Sequence, residues 1–175
     1  MKAIVAVDSN WGIGFKGNLL CRIPDDMKFF KQMTLGKVVV MGRGTFESLP
    51  RKEPLVDRIN IVISKNKNFI NENTIICRSL YELSQELIKY NSDNIFVIGG
   101  ESLYKQLLPY CTEVYVTKIS KHFIADKYFC NLDKDERWET ISTSDLREYK
   151  DIKYTFVKYM NTKVGELFDQ RDSYQ

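Results

Sequence analysis

The residue best placed to do chemistry is a carboxylate, Asp26, because of the neighbours its spacing gives it. In Ile23-Pro24-Asp25-Asp26-Met27-Lys28-Phe29-Phe30-Lys31-Gln32-Met33-Thr34-Leu35-Gly36 the pattern predicts a helix over 24–34. Pro24 suits the first helical position and Gly36 suits a stop. At helical spacing Asp26 shares a face with Phe29, Phe30 and Met33. A carboxylate on an apolar stripe must be paired, protonated or functional, since burying an unpaired charge is very costly. Asp25 points away from that stripe and suits the ordinary role of an acid in a first helical turn. Read locally, Asp26 is either a second such acid or a reactive group.

Two strand-to-helix junctions could hold phosphate. In Val40-Met41-Gly42-Arg43-Gly44-Thr45-Phe46 an apolar strand ends in glycine, Thr45 is placed to cap the next helix, and Arg43 adds positive charge. In Ile98-Gly99-Gly100-Glu101-Ser102 two residues without Cβ atoms would let a ligand approach the backbone closely. Both would lie at carboxyl ends of strands, where open α/β sheets bind ligands. Neither matches a dinucleotide fingerprint or a P-loop. Arg43, Lys65 and Arg78 at strand ends suit a phosphorylated nucleotide, or are ordinary solvated charges. The loop Asp8–Leu20 carries Gly12, Gly14 and Gly17 among apolar residues, as a mobile flap over a cleft or an irregular surface loop would.

The elements that must position these groups alternate. Strand-like runs fall at 2–8, 38–41, 59–63, 74–77, 95–98, 113–119, 138–144 and 152–159, with helical patterns at 24–34, 45–49, 80–90 and 102–108. The continuous apolar runs Val38–Met41 and Ile95–Ile98 read as strands buried on both faces. This pattern predicts an α/β fold with a mainly parallel sheet, closed by a hairpin that adds an antiparallel edge. The polar stretch 161–175 reads as a loose extension or a short helix at 164–169.

Composition narrows the function further. The chain of 175 residues suits one domain, with 43% hydrophobic and 13% aromatic residues to build its core. A net charge of +3 from 26 basic and 23 acidic residues is too mild to argue for nucleic acid. Met1-Lys2 leads straight into Ala3-Ile4-Val5-Ala6-Val7, too short for a secretory core, and no apolar run reaches membrane-spanning length. Cys21, Cys77, Cys111 and Cys130 are scattered, as reduced thiols of a cytoplasmic protein would be. The one histidine, His122, has no ligand pattern around it, so no metal site is expected and a Ser-His-Asp mechanism finds no support.

Taken in order, several segments resemble dihydrofolate reductase. They are Ile4-Val5-Ala6-Val7-Asp8, Trp11-Gly12-Ile13-Gly14, Gly17-Asn18-Leu19-Leu20, Arg22 to Lys31, and Val39-Val40-Met41-Gly42-Arg43 with Thr45-Phe46-Glu47-Ser48-Leu49-Pro50. Arg58-Ile59-Asn60-Ile61-Val62-Ile63-Ser64, Ile98-Gly99-Gly100 with Tyr104, and Val114-Tyr115-Val116-Thr117 complete the set. The resemblance covers about residues 1–160, so it implies one catalytic domain there and a polar extension over 161–175. It implies a central eight-stranded, mostly parallel sheet with an antiparallel C-terminal edge strand, flanked by helices. It also implies NADPH-dependent reduction of dihydrofolate to tetrahydrofolate, an oxidoreductase step of folate and one-carbon metabolism.

By matched position, the resemblance makes Asp26 the acid of the pterin pocket and Thr117 its hydroxyl support. Val5, Ala6, Leu19, Phe30, Leu49 and Ile98 would wall the pterin, nicotinamide and benzoyl groups. Arg58 would take the substrate's α-carboxylate with its planar fork. Ala6, Ile13, Gly14 and Asn18 would border the nicotinamide half of NADPH. Gly44, Thr45, Gly99, Gly100, Glu101 and Ser102 would hold the diphosphate, with Arg43, Ser64, Lys65 and Arg78 on the adenosine phosphate side and Ile98 beside the cofactor. The expected partners are dihydrofolate and antifolate-type inhibitors, with no nucleic acid and no membrane, for a cytoplasmic monomer. Cys21 departs from the tryptophan that many relatives carry, and Asp57 from the glycine usually found before the arginine. A reductase of another pterin or of a ribosylated pyrimidine, and a non-catalytic nucleotide-binding module, are the competing readings.

Overall fold

The structure is a computed structural model and describes residues 1–167. In chain order the elements are β1 (Lys2–Val7), β2 (Gly12–Gly14), α1 (Pro24–Thr34), β3 (Val38–Gly42), α2 (Arg43–Ser48), β4 (Ile59–Ile63) and β5 (Ile75–Cys77). Then come α3 (Leu80–Leu87), β6 (Ile95–Gly99), α4 (Glu101–Leu107), β7 (Glu113–Ile119), β8 (Lys127–Tyr128), β9 (Trp138–Thr143), β10 (Arg147–Tyr149) and β11 (Ile152–Asn161).

The sheet order is β10-β11-β7-β1-β6-β3-β4-β5, with β9 also paired to β11. The six strands from β7 to β5 are mutually parallel, so their carboxyl ends share one edge. The α/β class and the parallel core agree with expectation, but among the described residues the sheet has nine strands rather than eight. The extra strand is β10, which joins β11 through Lys150 and Asp151, both with positive φ (46° and 62°). That turn carries no glycine, so the usual hairpin signal is missing from the sequence. The antiparallel C-terminal strand β11 is consequently not the edge: β9 and β10 line its outer side.

Strand β3 shows why the core runs were continuous. Val38 and Val40 enter the cluster that holds Leu83, Leu103, Leu107 and Val116, while Val39 and Met41 enter one with Phe46 and Val62. Period-two alternation thus feeds apolar layers on both faces of the sheet. Ser79 caps α3 by accepting from Glu82 N at 3.1 Å. A separate two-stranded sheet pairs β2 with β8. Gly165 N bonds to Pro109 O at 2.9 Å and Leu167 packs on the main core, so 162–167 lie against the body without forming a helix. The rest of the expected 164–169 helix lies outside the described residues. Among the described residues no helix is long and apolar enough to cross a membrane.

Candidate active site

Helix α1 and strand β7 build the acidic centre. Thr117 is buried, and its hydroxyl donates to Asp26 Oδ1 across 2.6 Å. Burial pushes the Asp26 carboxyl above its ordinary range, and the Thr117 hydrogen bond pulls it partly back. The neighbouring Asp25 is exposed and faces elsewhere: Tyr154 Oη donates to its Oδ2 at 3.0 Å, and Arg147 lies 3.3 Å away. Two consecutive acids are therefore separated by about 100° of helical rotation, one held by β7 and the other by β10 and β11. Phe29, Phe30 and Met33 are half-buried, and Phe29 packs 4.7 Å from Phe156 rather than beside Asp26 alone.

Cys21 precedes the helix, half-buried and packed with Ala6 on the cluster of Ile23, Ile119 and Tyr154. Burial, then the charge of Asp26, pushes its thiol up. Leu49 and Ile98 pack on the cluster of Val39 and Met41, Val5 sits in the main core, and Leu19 is exposed. Arg58 lies at the far end of α1. Its Nε and Nη2 each sit 3.3 Å from Thr34 Oγ1, and Nη1 donates to Val56 O at 2.6 Å.

The two glycine junctions meet because β3 and β6 are neighbours. A Cβ on Gly42 would come 3.9 Å from Gly100 N, and one on Gly100 would come 3.3 Å from Thr45 Oγ1. Gly99 has φ +120°, and a Cβ there would lie 3.2 Å from the Tyr104 ring. That ring is itself fixed, since Tyr104 Oη donates to Ile4 O at 2.7 Å. Gly44 faces open space. The structure corrects Thr45: α2 begins at Arg43 with Gly42 as its cap residue, so Thr45 sits inside the first turn and caps nothing. Its hydroxyl instead flanks Gly99 and Gly100.

The remaining predicted residues divide. Ser64 is buried at the end of β4, and Lys65 beside it is exposed. Arg43 pairs with Glu47 at 3.1 Å, Glu101 with Lys105 at 3.0 Å, and Ser102 Oγ with Gln106 at 3.0 Å. Arg78 is directed at the carbonyls of Ser64, Asn66 and Phe69 (3.2, 2.6 and 2.9 Å), so it braces the loop that carries Lys65. Ile13 packs on the main core, Gly14 lies in β2, and Asn18 sits in an exposed turn bridged to Phe15.

Two positions escaped the sequence reading. Asp8 is buried and anchors the loop that follows β1, although it was legible only as the first residue of a glycine-rich loop. Asp25 looked like a plain first-turn acid, because its partners Tyr154 and Arg147 are more than 120 residues away.

Comparison with known proteins settles the family. The dihydrofolate reductase family model matches residues 1–161. This chain belongs to the dihydrofolate reductase family. Dihydrofolate reductase of Buchnera aphidicola subsp. Baizongia pistaciae is 35% identical over 161 residues, covering 92% of this chain and 94% of that protein. A bifunctional dihydrofolate reductase-thymidylate synthase of Daucus carota is 35% identical over 188 residues, and the chain spans 35% of its length. A solved structure of dihydrofolate reductase from Enterococcus faecalis, complexed with NADP(H) and RAB-propyl, superposes with a TM-score of 0.81. It is 31% identical and covers 91% of this chain and 95% of its own.

Proposed function

We infer that this member of the dihydrofolate reductase family reduces 7,8-dihydrofolate to tetrahydrofolate with NADPH, and that Asp26 is its working acid. The observation that carries the residue-level reading is the half-buried Asp26 carboxylate with one oxygen engaged by the buried Thr117. A pterin edge presents an amino group beside a ring N–H. The carboxylate accepts both as charge-assisted hydrogen bonds and so orients the ring. Its negative charge also favours protonation of N5, which makes C6 a better hydride acceptor. Water delivers that proton, since the edge gripped by Asp26 and N5 lie at opposite ends of the ring system.

The Cβ-free cradle of Gly42, Gly99 and Gly100, with open space at Gly44, fits a dinucleotide phosphate approaching backbone N–H groups. NADPH, when bound, supplies the hydride. Gly44, Thr45, Gly99, Gly100, Glu101 and Ser102 hold its diphosphate; Ala6, Ile13, Gly14, Asn18 and Ile98 border the nicotinamide. Arg43, Ser64 and Lys65 meet the adenosine phosphate, with Arg78 bracing their loop. Arg58 takes the substrate's α-carboxylate, and Val5, Ala6, Leu19, Phe30, Leu49 and Ile98 wall the pocket. The protein acts as a cytoplasmic monomer on small molecules, is open to antifolate-type inhibitors, and has no nucleic-acid role. Residues 1–160 form the catalytic domain.

Purified protein should consume NADPH absorbance only when dihydrofolate is added, and use NADH poorly. Cofactor binding without turnover, or turnover only with another pterin or a ribosylated pyrimidine, overturns this reading.

A further inference from the structure

The mechanism leaves one buried charge unused. Asp8 follows β1 immediately, and its side chain is 0% exposed. Its Oδ1 accepts from Asn10 N and Gly12 N, each at 2.8 Å, and its Oδ2 accepts from Phe123 N at 2.9 Å. His122, exposed, lies 3.5 Å from the same Oδ2 and bonds to Asn10. The two oxygens thus serve two different segments. One organises the turn that sends the chain into β2; the other holds the segment after β7 that leads to β8.

These segments are tightly fitted around that carboxylate. A Cβ on Gly12 would meet the Cβ of Ala125 at 2.7 Å and Asp8 Oδ1 at 3.1 Å. Ser9 N bonds to Lys121 O at 3.1 Å, and Phe129 N to Trp11 O at 2.8 Å. Trp11 is buried against Phe129 and Tyr159. Beyond Gly12 the chain runs directly to Ile13 and Gly14, assigned above to the nicotinamide border. Loss of hydrogen bonds to a buried carboxylate therefore moves the residues next to the cofactor, while the substrate side at Asp26 and Arg58 is carried by other elements.

We propose that Asp8 is a positioning residue for cofactor binding, its two oxygens locking the Trp11–Gly14 segment to the Phe123 segment. The proposal rests on the NADPH reading above. A carboxylate is required because both oxygens must accept. An amide offers one acceptor, so asparagine must abandon one of the two segments.

Asp8→Asn and Gly12→Ala test this, the second prying the same segments apart while leaving the carboxylate in place. Three quantities are measured in each folded variant: the NADPH dissociation constant by tryptophan fluorescence, KM for both substrates, and amide exchange at Gly12 and Phe123. Asp8→Asn should accelerate exchange at Phe123 or at Gly12, and weaken NADPH binding about tenfold, the loss of roughly one charged hydrogen bond. KM for dihydrofolate should stay within about twofold, since Asp26 and Arg58 hold it from other elements. Gly12→Ala should give the same split and decides the matter if Asp8→Asn does not fold. Unchanged NADPH binding, or equal loss for both substrates, overturns the proposal. Failure of the reading beneath it is distinct: the unmodified protein would then not turn over dihydrofolate at all.

Discussion

Thr117 on β7 reaches across 91 residues of sequence to give its hydroxyl proton to Asp26 on α1, at 2.6 Å. The contact fixes one carboxylate oxygen and turns the acid toward the sheet. Because burial and this bond act on the carboxyl in opposite directions, the two residues together determine where the acid titrates.

Replacing the acid tests its role most directly. Asp26→Asn should fold and bind NADPH, yet lose turnover by about 100-fold or more at neutral pH, in the range expected for removing a preorganised charge. Activity should partly recover in acid, where substrate protonated at N5 needs less help. Stopped-flow hydride transfer across pH checks this, and near-normal rates at neutral pH would end the case for Asp26.

The same variant should be more stable than its parent. Burial raises the Asp26 carboxyl in the folded state, so between its ordinary value and the raised one the folded protein holds a proton the unfolded chain has released. Stability therefore falls as pH rises through that window, and the deficit persists at neutral pH. The expected result is a higher melting temperature for Asp26→Asn at neutral pH, with the gain shrinking toward about pH 4 as both states become protonated. A gain that grows in acid would reverse the sign of this argument.

Thr117→Val keeps the shape of the buried side chain and deletes its proton. With the lowering contact gone, the acid should titrate higher still, and the pH profile of turnover should move to the alkaline side. Turnover at neutral pH should drop about tenfold, the worth of one charged hydrogen bond. An unmoved profile in a folded variant would show that Thr117 merely packs.

Arg58→Lys separates the substrate's two ends. Thr34 Oγ1 and Val56 O orient the guanidinium, and a lysine cannot reproduce its fork. KM for dihydrofolate should rise about tenfold while KM for NADPH holds. A pteridine lacking the glutamate should be handled equally by both proteins.

Much of this molecule was readable from local chemistry. Val38–Met41 and Ile95–Ile98 announce buried parallel strands because every residue must be apolar when both faces are covered. Helix α1 matches its expected span because Pro24 and the Leu35-Gly36 exit are local signals. What escaped depends on partners distant in sequence. Gly12–Gly14 has little strand propensity and becomes a strand only beside 127–128. Thr45 resembled a cap because the helix start was placed two residues late, where boundaries are decided by backbone rather than composition. Asp8 gave no hint, since its donors are backbone N–H groups that any sequence would possess.

The chain order of the acidic centre has a kinetic meaning. Asp26 comes from an early helix and Thr117 from a late strand, which pairs with β1 on one side and β11 on the other. Loops of that length close slowly relative to local helices. Turnover therefore needs a contact between residues 91 positions apart, and activity recovered after denaturation counts only molecules in which that contact has been made.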